Sequence, residues 1–134
     1  MKAGKRNVKD LRVYNGAFDA ALKIFLMTKR FPAEERFSMV DQMRRSSRSV
    51  CANLAEAWRK RRYRAAFIAK LNDVESEASE TLVWLEMARS CEYLDEADFE
   101  SLNTAYDHVI AQIVRMIMTA DHWVIPTGTK DLRG

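Results

Sequence analysis

Residues 67–88, which read FIAKLNDVESEASETLVWLEMA, decide the fold. Their apolar and small residues recur at alternating steps of four and three, at Phe67, Leu71, Val74, Ala78, Thr81, Leu85 and Ala88. This spacing places them on one face of a helix and is typical of helix bundles. Residues 33–125 contain neither Gly nor Pro, so the two strongest helix breakers are absent around this stretch.

Three more stripes with the same period flank this one. They are Leu11, Tyr14, Phe18, Leu22 and Phe25; Val40, Met43, Ser47, Val50, Leu54 and Ala57 or Trp58; and Phe99, Leu102, Tyr106, Val109, Ile113, Met116 and Ala120. Long helices with short connections pack as antiparallel neighbours. We therefore predict an all-α, up-down-up-down four-helix bundle, with helices at about 9–29, 35–58, 64–91 and 96–121. Residues 1–122 would form a single domain and 123–134 a C-terminal tail.

The helix ends are marked unevenly. Pro32 suits the first position of the second helix, and Asp95 can cap the fourth, with Leu94 and Phe99 at the staple positions around it. Between the second and third helices, residues 58–64 contain no Gly or Pro. Only repulsion among their positive charges favours a break there.

Composition bears on location. No run of apolar residues is long enough to span a membrane or to act as a signal peptide, so we expect a cytoplasmic protein. Cys51 and Cys91 form no CxxC pair, and we expect them to be packing residues rather than a disulfide.

The sequence carries no signature of catalysis. His108 and His122 are too far apart in helix phase for a local metal pair, and no His follows Glu77 or Glu80 by three residues. Without Gly between residues 17 and 127, no Gly-rich phosphate loop exists. We therefore expect no enzymatic activity, no cofactor and no metal, and we interpret Glu77 and Glu80 as a solvated face or as salt bridges between subunits.

Charge is distributed asymmetrically. Residues 44–64 carry eight Lys and Arg against Glu56 alone, whereas residues 65–122 carry three against twelve acidic side chains. Arginine suits phosphate because its planar guanidinium donates two parallel hydrogen bonds, and Tyr63 and Phe67 could stack on unpaired bases nearby. The predicted nucleic-acid-binding residues, for RNA or DNA, are Arg44, Arg45, Arg48, Arg59, Lys60, Arg61, Arg62 and Arg64.

The alternative interpretation is that these cations pair with carboxylates of the third and fourth helices, within or between subunits. The protein would then be a homo-oligomeric scaffold or accessory protein that binds another protein. A second apolar stripe lies beside the main one on the first helix, at Ala20, Ile24 and Met27, and another lies on the fourth helix. These second stripes indicate either association of subunits or a wider core. The predicted oligomer interface is Ile110, Val114, Ile117 and Trp123.

Several blocks of sequence resemble a known family. They are residues 11–14 (LRVY), 31–35 (FPAEE), 42–50 (QMRRSSRSV), 52–56 (ANLAE) and 77–85 (EASETLVWL). In this order and spacing they are similar to the four-helix bundle proteins encoded in intervening sequences of bacterial 23S ribosomal RNA genes. The resemblance covers roughly residues 11–120. Two positions depart from the common pattern: Ala57 stands where many members have Gly, and Cys51 where many have Pro.

The resemblance implies a four-helix bundle with a short link after Glu56 and no enzymatic activity. It also implies a role near ribosomal RNA and assembly into a ring, with a homopentamer expected. A similar bundle is the pentameric accessory protein of diversity-generating retroelements, which binds nucleic acid and a reverse transcriptase. Carried over position by position, such a role would use Arg44 and Arg45.

Overall fold

The computed structural model describes residues 7–126, which form four α-helices joined by short turns. The helices are α1 (Arg12–Thr28), α2 (Met39–Arg59), α3 (Arg64–Ser90) and α4 (Glu96–Met118). Single 3-10 turns lie at Val8–Asp10, Ala33–Glu35 and Ala120–His122. Residues 7–126 contain no strand, so the prediction of an all-α fold is confirmed.

Each helix packs against two others. Helix α2 lies between α1 and α3, and α4 closes the bundle against α3 and α1. Contacts along α2 and α3 run in opposite directions, because Arg45 reaches Glu80 while Asn53, two turns later, reaches Lys70. Antiparallel neighbours make contacts in this order. Helices α1 and α3 therefore lie diagonally across the bundle, and each has an outer face turned away from the core.

The core contains three of the four predicted apolar stripes in full. All seven residues of the α3 stripe are completely buried, from Phe67 to Ala88. The stripes of α2 and α4 are buried as well, including Trp58 and Ala120 at their ends. Their strict steps of three and four keep one face of each helix turned inward, as the heptad spacing requires.

The stripe predicted on α1 is wrong at Phe18 and Leu22, although Leu11 is buried and Tyr14 packs against the core. Phe18 and Leu22 are 45% and 50% exposed, and the residues that face the core are instead Val13, Ala17, Ala20, Ile24, Met27 and Thr28. This helix is apolar on two sides, so hydrophobicity alone cannot select the buried one. The small side chains of Ala17 and Ala20 allow α1 to approach its neighbours closely, while Phe18 and Leu22 remain outside.

The connection from α1 to α2 also differs from the prediction. Pro32 does not begin a helix; it precedes the 3-10 turn Ala33–Glu35, and α2 begins only at Met39. Phe31 is buried beside Tyr93, with ring centroids 5.2 Å apart. The Tyr93 hydroxyl donates a 2.8 Å hydrogen bond to Glu35, which raises the pKa of Tyr93 to about 12. This contact ties the connection to the end of α3.

The start of α4 agrees with the prediction, whereas the end of α2 does not agree with the short link after Glu56 that the resemblance implies. Asp95 caps α4, since its carboxylate accepts a 2.7 Å hydrogen bond from the Asp98 amide, as predicted. Helix α2 does not end after Glu56 but continues through the fully buried Ala57 to Arg59. The link to α3 is thus the four residues 60–63.

Candidate nucleic-acid interface

The predicted basic residues do not form one surface, because neighbouring helices divide them. Arg45 lies on the α3 side of α2 and forms ion pairs with Glu77, at 3.2 Å, and with Glu80. The hydrogen bond from Arg45 and a second one from the Trp84 indole lower the pKa of Glu80. The charge of Arg45 is therefore matched within its own chain, as the alternative interpretation proposes, and its role in nucleic-acid binding stays a prediction. Glu77 and Glu80 form salt bridges to α2 of the same chain.

Other residues of the resembling blocks join the same contact between α2 and α3. Thr81 donates a buried 2.9 Å hydrogen bond from its hydroxyl to the hydroxyl of Ser46. Further along α2, Asn53 accepts a 3.0 Å hydrogen bond from the Lys70 ammonium of α3. The same ammonium lies 2.8 Å from the Glu56 carboxylate. These pairs join the 42–50 and 52–56 sequence blocks to α3. Much of the sequence pattern on which the family resemblance rests therefore specifies how α2 and α3 pack.

Arg44 and Arg48 lie on the other side of α2, facing α1. The Arg44 guanidinium lies 4.7 Å from the centre of the Phe25 ring, and that of Arg48 lies 5.8 Å from it. Arg44 also donates to the Thr28 hydroxyl at 2.9 Å and to the Phe25 carbonyl at 3.3 Å, near the C-terminus of α1. Within residues 7–126, neither arginine forms an ion pair with a carboxylate.

The turn after α2 gathers most of the remaining positive charge. Arg59, Arg61 and Arg62 line one open cleft of about 410 Å³, together with Asn7, Val8, Ala55, Trp58 and Ile125. We call residues 59–62 the basic turn. Its cleft has no acidic side chain among its lining residues, and in the part of the chain that the structure describes none of the three arginines forms an ion pair.

Arg61 is the most constrained cation of the basic turn. Its guanidinium lies 3.6 Å from the centre of the Trp58 ring, and its Nε–H donates a 2.8 Å hydrogen bond to the Trp58 carbonyl. Partial burial lowers the pKa of Arg61, because the charged form loses solvation. The side chain is thus held in place beside the cleft while its charge remains unmatched by the residues described around it.

The other predicted residues at this end of the bundle have different surroundings. Arg64 forms an exposed 2.7 Å ion pair with Asp121, so its charge is matched within the chain. Lys60 is exposed and lies near Glu56, whose pKa is lowered mainly by Lys70 and to a smaller extent by Lys60. Tyr63 is 62% exposed and open to stacking, but Phe67 is completely buried, so its prediction as a stacking residue is wrong.

The C-terminal segment contributes contacts that no periodic pattern indicated. Trp123 packs edge-on against Trp58, with ring centroids 6.1 Å apart. The Ile125 amide donates a 2.9 Å hydrogen bond to the Arg61 carbonyl. Residues 123–126 therefore fold back onto the basic turn of their own chain; the rest of the predicted tail lies outside the described residues. Of the predicted interface, Ile110, Val114, Ile117 and Trp123 are all half-buried.

Among residues 7–126, no helix is long and apolar enough to cross a membrane. The same residues contain no group of three His, Cys, Asp or Glu side chains placed to hold a metal ion. Both cysteines are free: Cys51 packs against the core, as expected, whereas Cys91 is exposed after the end of α3.

Comparison with known proteins gives the same family as the resembling blocks. A search of the curated proteins found no match. A protein of unknown function from the S23 ribosomal protein family of Bacteroides thetaiotaomicron, known from a crystal structure, is 33% identical with a TM-score of 0.71. The alignment covers 78% of this chain and 97% of that one. Residues 9–115 match the profile of the 23S rRNA-intervening sequence proteins. The chain therefore belongs to the 23S rRNA-intervening sequence protein family.

Proposed function

We propose that this protein binds nucleic acid, without catalysing a reaction, through the basic turn. The observation that carries the proposal is the set of three arginines, Arg59, Arg61 and Arg62, around one cleft that has no carboxylate among its lining residues. Clustered like charges repel one another, and a polyanion relieves that repulsion while releasing its own counterions. The exposed Tyr63 next to this cluster offers a ring on which a base can stack.

The contacts around the turn support a fixed rather than a flexible arrangement. The Arg61 carbonyl accepts a hydrogen bond from the Ile125 amide, and the Arg61 guanidinium stacks on the Trp58 ring. A side chain that is already held in place loses less conformational entropy when it binds a phosphate. Binding through phosphates alone would be independent of base sequence.

The test is a salt titration with labelled single-stranded RNA and DNA oligonucleotides, followed by fluorescence anisotropy. Replacing Arg59, Arg61 and Arg62 together by Gln should reduce the slope of log K against log salt by about 2, since each single-strand phosphate contact contributes about 0.7. The matched control is Arg45→Gln, because Arg45 is already neutralised by Glu77 and Glu80. Its slope should equal that of the unmodified protein.

A flat salt dependence in the unmodified protein would overturn the proposal, and so would an equal slope for the triple variant. Because Arg61 packs on Trp58, the triple variant could lose stability. The double variant Arg59→Gln with Arg62→Gln avoids this contact and should still reduce the slope by about 1.4. Circular dichroism establishes that each variant remains helical.

A second candidate function, a scaffold that binds protein, is favoured by a different surface. Phe18, Leu22 and Leu26 are 45%, 50% and 60% exposed along the outer side of α1. A contiguous exposed apolar patch of this kind often marks a protein contact. Nucleic-acid binding uses the end of α2 and does not require this patch.

A further inference from the structure

A second cleft lies beside the cleft of the basic turn, at the same end of the bundle. It has a volume of about 330 Å³ and is formed where the start of α1 meets the end of α4. The polar side chains that line this second cleft are Arg12, Gln112, Arg115 and Thr119. No acidic side chain lines it, so both clefts present positive charge alone.

Only a narrow boundary separates the two clefts. Val8 lines the first cleft and Leu11 the second, so the turn Val8–Asp10 runs between them. Trp58 likewise lines the first cleft and Trp123 the second, and the centroids of their rings are 6.1 Å apart. A chain molecule that leaves one cleft therefore enters the other after crossing this pair of rings.

The two arginines of the second cleft carry unmatched charge. Within residues 7–126, neither Arg12 nor Arg115 forms an ion pair with a carboxylate. The carboxylates in the turns at this end of the bundle have other partners. Asp121 pairs with Arg64, and Asp10 accepts a 3.1 Å hydrogen bond from a backbone amide.

Local structure accounts for the position of Arg115 but not for that of Arg12. Arg115 lies in the last turn of α4, where the negative end of the helix dipole favours a cation. Arg12 is the first residue of α1, where the positive end of the dipole disfavours a cation, and no acidic residue in that turn offsets the charge. An anion in the second cleft would offset this unfavourable placement.

We infer that the second cleft binds phosphates of the same nucleic-acid strand that occupies the basic turn, and that this strand is unpaired where it crosses between the clefts. The inference rests on the proposed function and deepens it. Arg12 and Arg115 donate to phosphate oxygens, which a guanidinium does through two parallel hydrogen bonds. The half-buried Trp123 leaves part of its ring open to the second cleft, where an unpaired base can stack on it.

The length of the oligonucleotide tests the inference. A single strand of about 4 nucleotides is long enough for the basic turn alone, whereas one of about 8 nucleotides reaches both clefts. Replacing Arg12 and Arg115 together by Gln should reduce the slope of log K against log salt by about 1.4 for the longer strand, because each lost phosphate contact contributes about 0.7. The slope for the shorter strand should stay unchanged.

The matched control is the double variant Lys29→Gln with Arg36→Gln. It removes the same charge from a basic cleft at the opposite end of the bundle, and neither residue forms an ion pair within the part of the chain that the structure describes. Its slopes should equal those of the unmodified protein for both strand lengths. Circular dichroism establishes that both double variants remain helical.

The outcomes separate this inference from the proposed function. A flat salt dependence of the unmodified protein overturns both. A slope that falls in the basic-turn variants but not in the Arg12 and Arg115 variant overturns the inference alone. Equal reductions for the two strand lengths, or the same reduction in the Lys29 and Arg36 control, would mean that only total charge matters and would overturn it as well. A hairpin stem that loses as much slope as the longer single strand would overturn the unpaired crossing.

Discussion

Arg44 and Arg45 are neighbours in the chain but have opposite surroundings. Arg45 points toward α3, where its hydrogen bond to Glu80 and its ion pair with Glu77 neutralise it and raise its pKa. Arg44 points toward α1, where it stacks on Phe25 and forms no ion pair within residues 7–126. Successive residues on a helix are rotated by about 100°, so one position decides which neighbouring helix a side chain meets.

The comparison separates two roles of positive charge in this bundle. On the α3 side, charge is used for packing, since each cation has its own carboxylate and the surrounding hydroxyls are bonded. On the α1 side and at the basic turn, charge remains available for a partner. A run of arginines in a sequence therefore does not by itself indicate a binding surface. The helices that pack beside it determine which of its charges remain unmatched.

The largest expected effect on stability comes from reversing the charge of Arg45. Arg45→Glu removes two ion pairs and places a third carboxylate beside Glu77 and Glu80, which should lower the free energy of unfolding by about 2 kcal/mol. Arg44→Glu should cost less, because the new carboxylate lies near Lys29 and Arg48. Urea unfolding measures both variants.

A charge swap sharpens this comparison. Combining Arg45→Glu with Glu80→Arg restores one opposite-charge pair across the same contact, so the double variant should recover part of the lost stability. Equal stability of Arg45→Glu and Arg44→Glu, with no recovery in the double variant, would show that the two sides of α2 do not differ as argued.

Most of the fold could be predicted from the sequence, because the main apolar stripes of α2, α3 and α4 are the ones that the core buries. Asp95 also marks the start of α4. Helix α1 could not be assigned in this way, since Phe18 and Leu22 lie on one side and Ala17 and Ile24 on the other. The small side chains of Ala17 and Ala20 favour close helix packing on the buried side, a property that hydrophobic periodicity does not report.

The candidate site was predictable in composition but not in arrangement. The sequence shows eight cations between residues 44 and 64, yet the partners of Arg45 and Arg64 lie on α3 and in the turn after α4. Such pairs depend on how helices are rotated about their axes, which periodicity does not specify. The return of Ile125 to Arg61 follows no helical period, so no sequence pattern indicated the cleft.

A smaller effect is expected from the buried hydroxyl pair on the α3 side. Thr81→Val keeps the shape of the side chain but removes its hydrogen bond to Ser46, leaving that hydroxyl buried without a close partner. The expected loss is about 1 kcal/mol in the free energy of unfolding. Thr104→Val, at an exposed position of α4, is the control and should change it little. Nucleic-acid affinity should be the same for both, because neither residue borders the basic turn.

The smallest expected effect is the pH dependence of stability that Glu80 confers on the contact between α2 and α3. Because its partners lower the pKa of Glu80, this carboxylate contributes stability that is present above its unfolded pKa of about 4.3 and is lost as pH falls through the lower folded value. Glu80→Gln should therefore be less stable than the unmodified protein at neutral pH. The difference should shrink between about pH 5 and pH 3, as Glu80 becomes protonated in the unmodified protein.

Urea unfolding at a series of pH values measures this convergence, with Glu100→Gln as the control. Glu100 is exposed and forms no ion pair within residues 7–126, so its replacement should leave the pH profile unchanged. A constant difference between Glu80→Gln and the unmodified protein across the acid range would mean that the Arg45 contact does not depend on the charge of Glu80. In that case the contrast between Arg44 and Arg45 would rest on packing and not on the charge of Glu80.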